Sequence, residues 1–308
     1  MDNKLRKKLC LGTVQFGLEY GINNHTGKPG RDEVFAMLDY ALEQGIEYID
    51  TAVAYGNAEE LLGEYFNSRK VPSDLKVISK LMPNLIASDR IDAEPLVIHE
   101  IQNSLKRLHL NCLEGYLLHT PANFYNPSVM RGLKQAKELG LIKNLGVSIY
   151  ETQHALDVVA SGLVDFVQVP YNIFDQRLEK TDFYSLAQAN GVKVFGRAPF
   201  LQGLLFMQPE EVPAHLERAK NYLQQFAQII ASHDLQRVEA SLLFSAQNPG
   251  IDRVVFGVDN MAQLKEDISA ISNNSADASC REELKQHFSS MEKEIIFPSL
   301  WARSPGMD

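Results

Sequence analysis

Residues 31–44 read RDEVFAMLDYALEQ, Gly45 follows, and residues 47–53 read EYIDTAV. The first stretch sets Val34, Leu38, Ala41 and Leu42 on one stripe at helical spacing. The glycine is the residue that most readily ends a helix in the left-handed conformation. The second stretch is a strand-length run rich in β-branched residues. Helix, glycine, strand is therefore the unit, and it recurs. Val129–Leu139, opened by Pro127-Ser128 and closed by Gly140, precedes Asn144–Ile149. Thr181–Asn190, closed by Gly191, precedes Val192–Phe195.

Working outward, the apolar runs are Leu9–Phe16, Glu47–Val53, Leu75–Leu81, Leu113–His119, Asn144–Ile149, Phe166–Val169, Val192–Phe195 and Arg253–Val258. They lack clean alternation, as parallel strands covered on both faces do. Eight such runs predict an α/β fold, a single (β/α)8 TIM barrel over residues 1–308. Extra helices are expected near the C-terminal end, at Pro213–Ser232, Leu235–Gln247 and Arg281–Glu294, with a surface loop at Asn273–Ser279. The competing fold is a doubly wound sheet, whose marker is GxGxxG after the first strand. That position reads Gly12-Thr13-Val14-Gln15-Phe16-Gly17, which does not match.

The 308 residues are 45% hydrophobic and 22% charged, ordinary for a globular chain long enough to bury its own core. Lys plus Arg is 30 against 39 Asp plus Glu, a net charge of −9. That balance argues against nucleic acid or an anionic membrane as the main partner and leaves a small molecule. No heptad or large apolar stripe is apparent, so a monomer is expected. Cys10, Cys112 and Cys280 form no CxxC pair, and Cys10 and Cys112 read as small core residues. The scattered histidines lack HExxH or paired spacing, so no metal is expected. The start, MDNKLRKK, does not read as a signal peptide, which leads us to expect a cytoplasmic protein.

In barrels of this kind, chemistry collects where strands end. There the chain offers Asp50, Tyr55 just beyond it, Lys80 and His119. Each alone reads as a cap, a packed aromatic, a snorkelling lysine or a core histidine. Together they read differently. A lysine on a buried strand needs a counter-charge, and Asp50 is the candidate. An ammonium beside a phenol lowers its pKa. A histidine beside that phenol can hydrogen-bond the same substrate oxygen, which completes the parts for protonating an alkoxide as it forms.

The sequence resembles the aldo-keto reductase superfamily over nearly its whole length. The resemblance lies in GIEYIDTAVAYGNAEELLGEYF (45–66), VISK (77–80), YLLHT (116–120), GVSIY (146–150), VQVPYNIFDQR (167–177) and APFLQGLL (198–205), in the family's order. It implies an NAD(P)H-dependent carbonyl reduction with Tyr55 as general acid, Lys80 and Asp50 as its support and His119 orienting the carbonyl. It further implies cofactor contacts from Asp50, Ser148, Gln168, Gln202, Gly203, Gly257 and Glu266. Arg197 stands where many relatives stack a tyrosine on the nicotinamide, and a planar guanidinium can also stack. Ile149 replaces the family's usual Asn. The family resemblance inclines the cofactor towards NADP. NAD stays open because Asp259 and Asn260 stand where relatives place basic residues.

The loop Leu18–Gly30, with two Asn, His25 and Lys28, reads either as a contact for a polyhydroxylated substrate or as a solvated turn. Its opening, LGTVQFGLEYGI, resembles bacterial relatives linked to sugar or polysaccharide metabolism. Two other readings compete: a Schiff-base lyase or aldolase using Lys80, and a catalytically weak nucleotide-sensing barrel.

Overall fold

A computed structural model describes residues 4–87, 89–273 and 278–301. The chain runs β1 (Leu9–Gly12), α1 (Val14–Gly17), α2 (Arg31–Glu43), β2 (Tyr48–Asp50), α3 (Ala58–Ser68), β3 (Lys76–Lys80), α4 (Glu94–Leu108) and β4 (Leu113–Leu118). It continues through α5 (Pro127–Glu138), β5 (Ile142–Ser148), α6 (Thr152–Ser161), β6 (Phe166–Pro170), α7 (Phe183–Ala189) and β7 (Lys193–Arg197). Then come α8 (Ala219–Ser232), α9 (Arg237–Ala246), β8 (Arg253–Gly257), α10 (Met261–Asn273), α11 (Ala278–His287) and α12 (Lys293–Ile296). All neighbouring strands are parallel, and β8 pairs back onto β1, closing the barrel. The fold is the expected (β/α)8 barrel. Among the described residues no helix is long and apolar enough to cross a membrane.

The elements differ from the sequence-based expectations in four places. The first apolar run does not stay extended to Phe16; β1 ends at Gly12 and the chain coils into α1. Helical spacing is what buries Phe16 there. The helix expected from Pro213 divides into a 3-10 turn, Ala214–Leu216, and α8, because Pro213 accepts the Leu216 N–H at 2.8 Å in a tight turn. The helix expected at Arg281–Glu294 divides into α11 and α12. Phe288 inserts beside Phe174, ring centroids 5.0 Å apart, and the chain bends at Ser289-Ser290. Of the expected loop Asn273–Ser279, the ends lie in α10 and α11 and residues 274–277 lie outside the described residues. Cys10 is buried as expected, whereas Cys112 is only half-buried.

Two apolar regions hold the barrel together. The larger fills the space between strands and helices. The smaller plugs the barrel itself: Cys10, Ile78, Leu117, Phe166, Phe195 and Val255, with Tyr48 against them. Phe166 is one of its two phenylalanine wedges, and two neighbours must be glycine to admit it. A Cβ on Gly115 would lie 2.6 Å from the Phe166 ring, and one on Gly146 would lie 2.9 Å from it. The plug fills the barrel interior, and among the described residues a cavity opens above it at the C-terminal mouth.

Candidate active site

Strand periodicity builds the mouth. Side chains two apart on a strand point the same way. Two residues above each plug position therefore comes one inward residue per strand end: Gly12, Asp50, Lys80, His119, Ser148, Gln168, Arg197 and Gly257. All but Lys80 line a cavity of about 350 Å³ at the mouth. Lys80 lies just beneath, fully buried.

Lys80 has three donors and uses all of them. Its Nζ donates to Asp50 Oδ2 at 2.6 Å, to the Thr51 carbonyl at 2.9 Å and to the Tyr55 hydroxyl at 3.2 Å. Asp50 is held on its other side by Gln168, whose Nε2 donates to Oδ1 at 2.7 Å. Burial by itself would lower the Lys80 pKa, but Asp50 and Tyr55 outweigh it and hold it above the usual value. The ammonium therefore stays charged.

Tyr55 reaches this cluster from the loop after β2. That loop is pressed onto α1 at two glycines. A Cβ on Gly17 would overlap the Tyr55 carbonyl oxygen at 1.7 Å, and one on Gly56 would meet the Gly17 carbonyl oxygen at 2.3 Å. Burial pushes the Tyr55 phenol up, and Lys80 pulls it only part of the way back. The lowering expected from Lys80 is thus present but smaller than the cost of burial. His119 stands edge-on to Tyr55, with ring centroids 6.1 Å apart. Burial first, and then the Lys80 and Arg197 charges, push its pKa down to about 3, so the imidazole is neutral. Its Nδ1 is buried without a partner.

Arg197 does not point into open solvent. Its guanidinium carbon lies 4.2 Å from the Tyr150 ring centroid, and its Nη2 donates to the Ile149 carbonyl at 3.4 Å. Its Nε has no partner. Beyond β7 the chain adopts positive φ at Ala198, Leu201, Gln202 and Gly203. Strain of this kind persists where surrounding contacts hold it. Here the Gln202 carbonyl accepts the Ile22 N–H at 3.0 Å, and Gln202 Nε2 donates to the Tyr20 hydroxyl at 2.9 Å. The β1 and β7 loops are thus clasped across the cavity. Leu18, Tyr20, Gly21, Asn23 and Asn24 of the first loop line it, whereas His25 and Lys28 do not.

A second cavity, of about 670 Å³, shares Asn23, Phe200, Phe206, Gly257 and Gln263 with the first and runs on to Glu266, Asp267 and Arg237. Glu266 is exposed on its wall. Asp267 is 4% exposed, and its Oδ2 has no partner. Burial pushes the Asp267 carboxyl well above its usual value. The residues fit a long polar ligand with one ring at the barrel axis. Polar atoms of His119 and Arg197 stand unpartnered at one end, and Asp267 does so at the other.

All the sequence-derived site residues meet on these two connected cavities or, for Lys80, directly under them. Gln15, Tyr150, Gln263 and Asp267 also line them without having been singled out by the sequence, and Tyr20 and Asn23 do so from the Leu18–Gly30 loop. Asp259, Gln263 and Asp267 had a readable signal, spacing by four residues along one helix face. Tyr20, Asn23 and Tyr150 come from loops, whose conformation has no periodicity to read, and Gln15 from the short α1, whose run has strand composition.

The closed barrel with its polar mouth defines a class, the (β/α)8 enzymes that work at the C-terminal strand ends. The Aldo/keto reductase family matches residues 8–287, and the chain belongs to it. An uncharacterized oxidoreductase, YqkF, of Bacillus subtilis is 24% identical over 287 residues, covering 86% of this chain and 90% of that one. An NADH-specific methylglyoxal reductase of Escherichia coli is 23% identical, covering 88% and 95%. The aldo-keto reductase AKR11C1 from Bacillus halodurans, in its holo form, has the same fold: TM-score 0.74, 19% identity, 91% of each chain covered. The chain is accordingly an oxidoreductase of a family that reduces carbonyl compounds with NAD(P)H.

Proposed function

We propose that this protein reduces a small aldehyde or ketone to an alcohol with NAD(P)H, Tyr55 delivering the proton. The nicotinamide, when bound, supplies a hydride from C4 to the carbonyl carbon. Everything else is the work of this chain. Tyr55 donates its hydroxyl proton to the carbonyl oxygen as that oxygen gains charge. Lys80 stabilises the phenolate left behind, across their 3.2 Å contact. Asp50, gripped by both Lys80 and Gln168, keeps the ammonium aimed. His119, neutral, has no proton of suitable acidity to give, so it orients the carbonyl through a hydrogen bond. Ser148 and Arg197 hold the cofactor ring, and Gln202 and Gly203 cover the cavity.

The single observation that carries this reading is the contact of the Tyr55 hydroxyl with a buried, charged Lys80 on the cavity floor. The same contact speaks against a Schiff base at Lys80, because an ammonium with three acceptors is not a free amine. A mere nucleotide sensor would have no use for it.

For the substrate, the aromatic faces of Tyr20 and Tyr150 and the amides of Asn23, Asn24 and Gln202 suit a hydroxylated, sugar-like carbonyl compound. Methylglyoxal, which the E. coli relative's name specifies, is a natural first probe beside aldoses and ketoses. The test is Tyr55→Phe. Reduction should fall by about 10²–10⁴-fold, the usual worth of a positioned general acid, while the cofactor still binds. Undiminished turnover of accepted aldehydes by this variant would overturn the assignment of the acid.

A further inference from the structure

The following inference rests on the nicotinamide-dependent reading above and concerns which nucleotide the site admits. A ligand with its nicotinamide at the barrel axis outgrows the first cavity and continues into the second. Gln263, on the first turn of α10, lines both cavities, and Asp259, just after β8 and bonded to Gln263, lines the first. Helix N-termini ordinarily attract phosphate through free backbone N–H groups. Here three of the N–H groups around the start of α10 are already taken. Asp259 N–H donates to Gln263 Oε1 at 2.7 Å, Gln263 N–H to Asn260 Oδ1 at 3.0 Å, and Met261 N–H to Glu33 Oε1 at 3.4 Å. The last of these acceptors is itself a carboxylate.

The charges nearby have the wrong sign for a phosphate. Asp259 and Glu266 are acidic, and Asp267 beyond them is a buried carboxyl with an unpartnered oxygen. Of the cations, Lys265 lies over the Tyr40 ring at 5.6 Å, and Tyr40 lines neither cavity. Arg237, which lines the second cavity, donates from Nη1 to the Leu205 carbonyl at 2.8 Å and lies against Phe226. His25 is the remaining group with a field at Asp259, and it is exposed on the β1 loop. A carboxylate in this position accepts hydrogen bonds from an unmodified ribose and repels a phosphate on it.

We propose that the cavity takes a dinucleotide whose adenosine ribose keeps a free 2′-hydroxyl, NADH rather than NADPH, and that the Asp259 carboxylate makes the discrimination. The experiment is a binding titration without substrate, following nicotinamide fluorescence of NADH and of NADPH, on the wild-type protein and on Asp259→Asn. The Asn variant keeps the shape and the contact to Gln263 while removing the charge. Wild-type protein should bind NADH roughly 100-fold more tightly than NADPH, and Asp259→Asn should cut that ratio about tenfold or more, chiefly by tightening NADPH. Equal binding of the two nucleotides, tighter NADPH, or a ratio unmoved by Asp259→Asn would overturn the inference and leave the redox reading standing. Binding of neither nucleotide would overturn both.

Discussion

Two layers of one barrel, separated by two residues on each strand, have opposite chemistry. The lower layer is Cys10, Tyr48, Ile78, Leu117, Phe166, Phe195 and Val255 around the space left by Gly146. The upper layer is Gly12, Asp50, Lys80, His119, Ser148, Gln168, Arg197 and Gly257. Both face inward, and both are largely removed from water. The lower layer stabilises the fold by burial. The upper layer buries an ion pair, which contributes little or nothing to stability against an apolar alternative, because desolvation offsets the attraction. What the upper layer gains is a fixed ammonium under a phenol. The difference shows that the stable part of the barrel ends one residue pair below the part that does chemistry.

The sharpest way to break this comparison is Lys80→Met. It strands a buried Asp50 and should cost about 3–5 kcal/mol of stability in denaturant melts, with reduction lost as well. Adding Asp50→Leu should recover much of the stability and none of the activity. Full recovery of both would place Lys80 in the structural layer and outside the chemistry. Phe166→Ala opens a hole in the plug and should cost about 3–5 kcal/mol by the same measurement. In this case cofactor binding at the remaining folded protein should persist. Gly146→Ala pushes a methyl group into the Phe166 ring and should cost about 1–3 kcal/mol.

The smallest expected effect is a null one in pH. His119 is already neutral above about pH 3. Reduction needs the Tyr55 phenol protonated, so the rate is full below its pKa and is lost as pH rises through it. Since burial raises that pKa, kcat/KM for reduction should be flat from about pH 5 to about pH 9 and decline only on the alkaline side. A step near the ordinary histidine range would show that an imidazole charge matters after all.

Much of this was legible without coordinates. Helix, glycine and strand recur at Gly45, Gly140 and Gly191, and the eight strands lie close to where the apolar runs fall. Asp50, Lys80 and His119 could be picked out because each ends such a run. The misreadings are informative too. Val14 and Phe16 have strand composition but sit in a helical turn, since Gly17 must lie against the Tyr55 backbone. Contacts made 38 residues away left no local pattern to read. Gln168 lines the cavity, and its contact with Asp50, 118 residues distant in the chain, is one that no local pattern announces. Arg197 also lines the cavity, and its packing on the Tyr150 ring is likewise a tertiary contact.

By itself the sequence determined the barrel, the family and the identities of the polar strand-end residues, because periodicity and motif order are properties of neighbouring residues. Only the tertiary structure decided that these residues share one layer, that Lys80 spends every donor, and that two loops clasp over the cavity at Gln202. Those facts depend on the register between strands thirty or more residues apart, and that register exists only once β8 has paired with β1.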